Sequence, residues 1–185
     1  MANADTPHGF IPFRHRGGGV IRANAYQFAS AYGTNLFTGD AVILSSGDVA
    51  IAAQDSGTLL GIFAGCRYRA ADGSQVFSPY WPASTVTLNS ERVTAYVYDD
   101  PMISYRVQTE TSSTYAKATH DGNVYDIELD HAGSTFTGQS GMELDLTDTG
   151  TGQFHVLGLI DEPGNAVGVN AKIEVMIAES LLKRN

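Results

Sequence analysis

From residue 20 onward, short apolar runs alternate with Gly, Asp, Asn and Ser along this 185-residue chain. The runs predict strands at Val20–Arg22, Ala25–Ala29, Ala41–Leu44, Val49–Ala53, Leu59–Phe63, Cys66–Arg69 and Gln75–Phe77. They continue at Thr85–Leu88, Val93–Tyr98, Ile103–Gln108, Asn123–Leu129, Met142–Leu146, Phe154–Ile160 and Lys172–Ile177. Several are half-buried strands by alternation: Val93, Ala95 and Val97 share one face, and Asp126 and Glu128 lie opposite Tyr125, Ile127 and Leu129. Turn residues sit between the runs, at Gly39-Asp40, Asp72-Gly73, Asp121-Gly122 and Gly150-Thr151-Gly152. Two hairpins are expected, one through Ser45–Asp48 and one through Ala70–Ser74. Helix is scarce. The stretch Lys172–Lys183 fits a helical stripe or a strand, and its β-branched content favours a strand followed by a short tail. No repeat of fixed period occurs. The expectation is an all-β fold: a single β-sandwich or barrel-like domain of many short antiparallel strands.

Residues 1–19 follow another pattern. Pro7 and Pro12 each remove a backbone donor and bias the preceding residue toward extended geometry, and Gly17-Gly18-Gly19 reads as a flexible hinge. The stretch is too apolar for an idle tail and too interrupted for a core element. It is expected to be an extended arm, residues 1–19, on a β-rich body, residues 20–185. Aromatic residues are depleted in segments that stay disordered, so Phe10, Pro12, Phe13, Arg14, His15 and Arg16 are expected to dock on a partner. Fully extended, the first twenty-two residues reach about 70 Å.

Charge sharpens this picture. Charged residues make up 17% of the chain, below the usual share of about 25%, and the net charge is −9. No Lys or Arg falls between Lys117 and Lys172, whereas that interval holds Asp121, Asp126, Glu128, Asp130, Glu143, Asp145, Asp148, Asp161 and Glu162. This acidic segment is expected to form a solvated outer face. With no basic stripe, direct binding of nucleic acid is not expected. Cys66 is the sole cysteine, so no internal disulfide forms. No run of about 18 apolar residues exists, and no membrane partner is expected. No basic stretch followed by an apolar run opens the chain, so no secretory leader is expected, and the protein is expected in a cytosol or in something assembled there.

Motifs for catalysis are weak. Gly138-Gln139-Ser140-Gly141 has the wrong glycine spacing for a nucleophile elbow, and no phosphate loop occurs. His8, His15, His120, His131 and His155 are scattered at spacings that preset no zinc site. Glu143, Asp145 and Asp148 before Gly150 fail the EF-hand pattern and read as a solvated strand end. Cys66 reads as a small buried side chain. Trp81, in Ser78-Pro-Tyr-Trp-Pro82, is either a plug in the fold or, with Tyr80, an interface anchor. No cofactor and no enzymatic activity are expected.

Five groups of motifs, in order along most of the chain, carry a resemblance. They are Met1-Ala-Asn-Ala-Asp5 with Pro7-x-Gly9-Phe10-x-Pro12-x-Arg14-His15; Gly39-Asp40-Ala41-Val42 with Leu60-Gly61-Ile62-Phe63-x-Gly65-Cys66; Val76-Phe77-Ser-Pro-Tyr80-Trp81-Pro82-Ala83; Ala95-Tyr96-Val97-Tyr98-Asp99-Asp100-Pro101; and Val156-Leu157-Gly158-Leu159-Ile160-Asp161 closed by Ala171-Lys172-Ile173-Glu174-Val175. In these the chain resembles the capsid decoration, or cement, proteins of tailed bacteriophages. Residues from about 112 to 149 carry less of the likeness and read as a variable, acidic, outward-facing part. The resemblance implies a non-enzymatic virion protein, made in the bacterial cytoplasm, that sits on the exterior of an icosahedral head. Its partners would be the major capsid protein and copies of itself, commonly as a trimer and sometimes as a dimer. A glycan- or receptor-binding β-module displayed on the virion, using Tyr80 and Trp81, is the alternative.

Overall fold

Period-two alternation sets the buried side of strands such as Val93–Tyr98 in the computed structural model, which describes residues 3–147 and 152–182, while others are buried on both sides. Among the described residues the strands are β1 (Ile11–His15), β2 (Asn24–Phe28), β3 (Leu36–Phe37), β4 (Ala41–Ser45), β5 (Asp48–Ile51), β6 (Gly61–Arg69) and β7 (Gln75–Ser78). The others are β8 (Tyr80–Trp81), β9 (Val93–Tyr98), β10 (Ile103–Gln108), β11 (Val124–Glu128), β12 (Glu143–Asp145), β13 (Phe154–Leu159) and β14 (Lys172–Ile177). Helix is confined to a 3₁₀ turn at Leu88–Ser90 and one α turn, α1 (Lys117–His120).

Two large antiparallel sheets and a two-stranded ribbon, β3–β8, result. Sheet I has the order β1-β10-β14-β13-β11-β12. Sheet II has the order β2-β9-β6-β4-β5, with β7 also paired to β6. The main core lies between them: Ile103, Tyr105 and Val107 of β10, Ile173, Val175 and Ile177 of β14, and Tyr125 and Ile127 of β11 meet Ala41 and Ile62 of sheet II. Sheet II is apolar on its other face too. There Val42, Phe63, Val93, Ala95 and Val97 pack with Phe28, Leu36 and Trp81, and the short β3–β8 ribbon covers them. The architecture is the expected all-β fold of antiparallel sheets; of the two forms left open, sandwich or barrel-like, no closed barrel forms among the described residues.

Both expected hairpins form, β4–β5 and β6–β7. The expected strands Leu59–Phe63 and Cys66–Arg69 are one strand, because a bulge between Phe63 and Gly65 absorbs what looks like a turn. Gly65 has φ +120° there, and a Cβ on it would lie 2.9 Å from the Ser78 carbonyl oxygen. Val20–Arg22 and Thr85–Leu88 join no ladder; Val20 and Val86 stand exposed, and Thr87 makes only an isolated bridge to Ala70.

The N-terminal segment departs most from expectation. It is not a free arm. The Asn3 side chain donates to the carbonyls of Ala166 and Val169 and accepts the Ala166 N–H, all at 2.8 Å. Phe10 is fully buried in the main core and stacks on Phe154, with ring centroids 4.2 Å apart. Behind it, Gly9 sits at φ +68° where a Cβ would fall 2.4 Å from the Ser140 Cβ, and the Phe10 N–H donates to the Gly39 carbonyl. Residues 11–15 are the edge strand of sheet I, so a boundary at residue 19 separates no arm from the body. Pro12 is tolerated because it lies on that edge, and the register shifts between Pro12 and Arg14. The run after β1 is a turn rather than a hinge: the Arg16 N–H donates to the Met102 carbonyl, and the Gly19 N–H to Nδ1 of His15.

Truncation through Arg16 therefore removes part of the core. Replacing Phe10 by Ala is expected to cost about 3–5 kcal/mol in urea unfolding, whereas Phe13→Ala, at a half-exposed bulge, is expected to stay within about 0.5 kcal/mol.

Candidate functional site

The residues singled out as a docking set divide between the core and one surface. Phe10 belongs to the core and is unavailable to a partner. The others sit at the sheet I edge. Arg14 engages Glu174 of β14 with two bonds, Nε to Oε1 at 2.7 Å and Nη2 to Oε2 at 2.5 Å. Burial alone would push the Glu174 carboxyl up, but the Arg14 and Ser104 hydrogen bonds and the Arg14 charge bring it below its ordinary value. The Arg14 guanidinium carbon also lies 5.7 Å from the centre of the Phe13 ring. His15 bonds Asp100 through Nε2 at 3.0 Å, and its Nδ1 accepts the Gly19 N–H, so Nε2 carries the proton toward the carboxylate.

Arg16 is different. Its guanidinium reaches Sδ of Met176 at 3.8 Å, at the rim of an apolar groove of about 570 Å³. Met102, His155, Leu157, Met176 and Leu182 line that groove. β13 and β14 build it, because His155 pairs with Met176 across the ladder while Phe154 and Ile177 are buried. Met102 and Leu182 are each more than 40% exposed. A surface of this kind buries apolar area on contact and offers a guanidinium at its edge for a carboxylate. The chain pattern hid it: Leu157 and Met176 read as strand residues, and only the pairing register shows that they point outward.

Trp81 is the plug rather than an anchor. It is fully buried, its indole N–H donates to the Tyr32 carbonyl at 3.1 Å, and Phe28 and Tyr68 meet it edge-on. Tyr80 is partly buried and stacks on Phe37. The glycan-binding alternative thus loses its central side chain. Ser140 and His155 are not brought into a catalytic pair, since Ser140 is buried and accepts the Met142 N–H while His155 is exposed on sheet I. Cys66 is buried, and burial pushes its thiol up to about 12.

The acidic segment is not a uniformly solvated face. Asp126, Glu143 and Asp145 are buried. Gln153 donates its N–H to Asp126, and Thr147 and Gln54 donate to Asp145, so neighbouring chain covers and satisfies these two. Burial first, then the Asp5 charge, pushes the Glu143 carboxyl up to about 7, with the Gln108 amide near enough to temper the rise. Asp148 and Gly150 lie outside the described residues.

Comparison with family models, with curated proteins and with solved structures found no match.

His8, a half-buried residue of the N-terminal segment, has both ring nitrogens shut away from solvent. Burial, reinforced by the charges of Arg106 and Lys172, pulls the His8 imidazole down to about 4; Glu162 opposes them. Neither ring nitrogen has a hydrogen-bond partner. As pH falls below about 6.5 the unfolded chain takes up this proton first, so the folded state loses stability until about pH 4 and no more below it. Asp40, raised to about 6 by burial, acts in the opposite sense, losing stability as pH rises. Comparing wild type with His8→Gln cancels that contribution. Between pH 7 and pH 4.5, the variant is expected to gain roughly 2 kcal/mol on wild type in urea unfolding.

Proposed function

We propose that this protein is a non-enzymatic structural component of a virion, bound to the exterior of an assembled icosahedral phage head, where it clamps neighbouring copies of the major capsid protein. The observation that carries the reading is the outer face of sheet I, with its apolar groove edged by Arg16. The resemblance of the ordered motifs to those of capsid decoration proteins suggests the major capsid protein as the partner. The body offers a packed platform: both faces of sheet II are covered, and the groove floor is formed by His155 and Leu157 of β13 and Met176 of β14, with Met102 and Leu182 added from turns.

The physical account is clamping by mass action. A packaged genome strains a shell from within, and contacts between capsomers are its weak points. A ligand that binds only the assembled geometry stabilises it by about RT ln(1 + [L]/Kd) per site. Self-association, as a trimer or a dimer, would let one particle-bound unit touch several shell subunits and gain through effective concentration. In this account the N-terminal segment does not reach across to a neighbour. It sets the edge of the binding face, placing Phe13, Arg14 and Arg16 beside the groove.

Adding the protein to bare shells is expected to raise their disruption temperature, measured by light scattering. No shift at saturating occupancy overturns the proposal. Met176→Glu and Leu157→Glu put charge on the groove lining, and each is expected to weaken co-sedimentation with shells at least about tenfold. Their unfolding midpoints should stay near that of wild type, because both side chains are already partly exposed.

A further inference from the structure

At the opposite edge of sheet I from β1, three segments distant in sequence converge on one point. Glu143 begins β12, the last strand of the sheet. Its side chain is 1% exposed, and neither carboxylate oxygen accepts a hydrogen bond of good geometry. Nε2 of His131, on the loop after β11, stands 3.2 Å from Glu143 Oε2, at the distance of an ion pair but without hydrogen-bond alignment. Asp5 comes from the N-terminal segment. One ligand atom from each of Asp5, His131 and Glu143 falls within 4.8 Å of the other two.

We propose that Asp5, His131 and Glu143 bind a divalent first-row cation, of which Zn²⁺ is the test case, through two carboxylates and one imidazole nitrogen. A buried carboxylate without donors is costly unless a cation pairs with it. Glu110 and Glu128 add negative charge around Glu143, so a single imidazole leaves the cluster short of positive charge. The donor set, oxygen with one nitrogen, suits Zn²⁺ better than the all-oxygen preference of Ca²⁺ or Mg²⁺.

Supporting groups are already in place. Gln108 is fully buried; its side-chain oxygen accepts the Thr6 N–H at 3.1 Å and its amide donates to Asp5 Oδ1 at 3.1 Å. It therefore orients Asp5 from behind, as outer partners of metal ligands do. The His131 backbone is fixed as well: a Cβ on Gly141 would lie 2.3 Å from the His131 carbonyl oxygen, so these chains pack in contact. Asp5 and His131 are exposed, so an ion can reach the cluster from solvent. An ion here would tie the N-terminal segment to the β11–β12 loop and to the sheet edge, independently of any binding to a shell.

The test uses the full chain, stripped with a chelator and titrated with Zn²⁺ alone, with thermal unfolding and calorimetry as readouts. About a hundredfold excess over Kd is expected to raise Tm by roughly 5–10 °C, with Ca²⁺ and Mg²⁺ giving less. Asp5→Asn and His131→Ala change exposed side chains, so both variants should fold, and each is expected to weaken Zn²⁺ binding at least about tenfold. Glu143→Gln is expected to abolish the shift while leaving the metal-free protein at least as stable. No Zn²⁺-dependent shift in wild type overturns the proposal, leaving His131 as the sole counter-charge of Glu143. A shift that survives in both His131→Ala and Glu143→Gln overturns it too, because the ion is then held elsewhere. Equal responses to Ca²⁺ and Zn²⁺ that ignore His131→Ala rule out the imidazole as a ligand.

Discussion

Phe10 sits between the two sheets with its ring flat against Phe154, and the placement of the whole N-terminal segment follows from that contact. A buried aromatic ring of this size removes 150–250 Å² from water, enough to draw in a segment that has two prolines and little regular structure of its own. The close crossing of Gly9 over Ser140 lets the backbone pass near enough for the ring to enter. Once Phe10 is seated, Ile11–His15 falls into register against β10, and Arg14 meets Glu174 of β14. Arg16 is then carried to the groove rim. The placement of Arg16 at the surface we assign to the shell thus depends on a core contact.

Much of the architecture was legible in the chain because alternation is a local signal. Val93, Ala95 and Val97, and likewise Tyr125 and Ile127, read as buried faces and are buried. The paired hairpins were legible from Gly and Asp at the turns. Other features depended on partners far away in sequence. Pro12 argued against a strand, yet an edge position asks no donor of it. Leu36–Phe37 and Tyr80–Trp81 are strands of two residues each, too short for any period to show. The glycine at position 65 looked like a stop and is a bulge inside a nine-residue strand.

The candidate surfaces were harder to read, for the same reason. Aromatic and basic residues near the N-terminus read as one group, but Phe10 and Phe13 have the same chemistry and opposite fates. What separates them is the register shift at Phe13 and the Phe154 ring that Phe10 meets, neither visible in one strand. Charge was misleading in a similar way. A run of carboxylates without Lys or Arg suggests a wetted surface. The fold instead brings the 53–56 loop and the N-terminal segment over part of it, so that some acids are paired by amides and hydroxyls.

The edge of sheet I has a consequence for behaviour at high concentration. Exposed strand edges invite copies of a chain to zip together without limit, and proteins resist this with prolines and bulges at the margin. β1 carries both, Pro12 without an N–H and the irregularity at Phe13, on one border of sheet I. Copies crowded side by side therefore meet a border on which a ladder is hard to extend into a fibril.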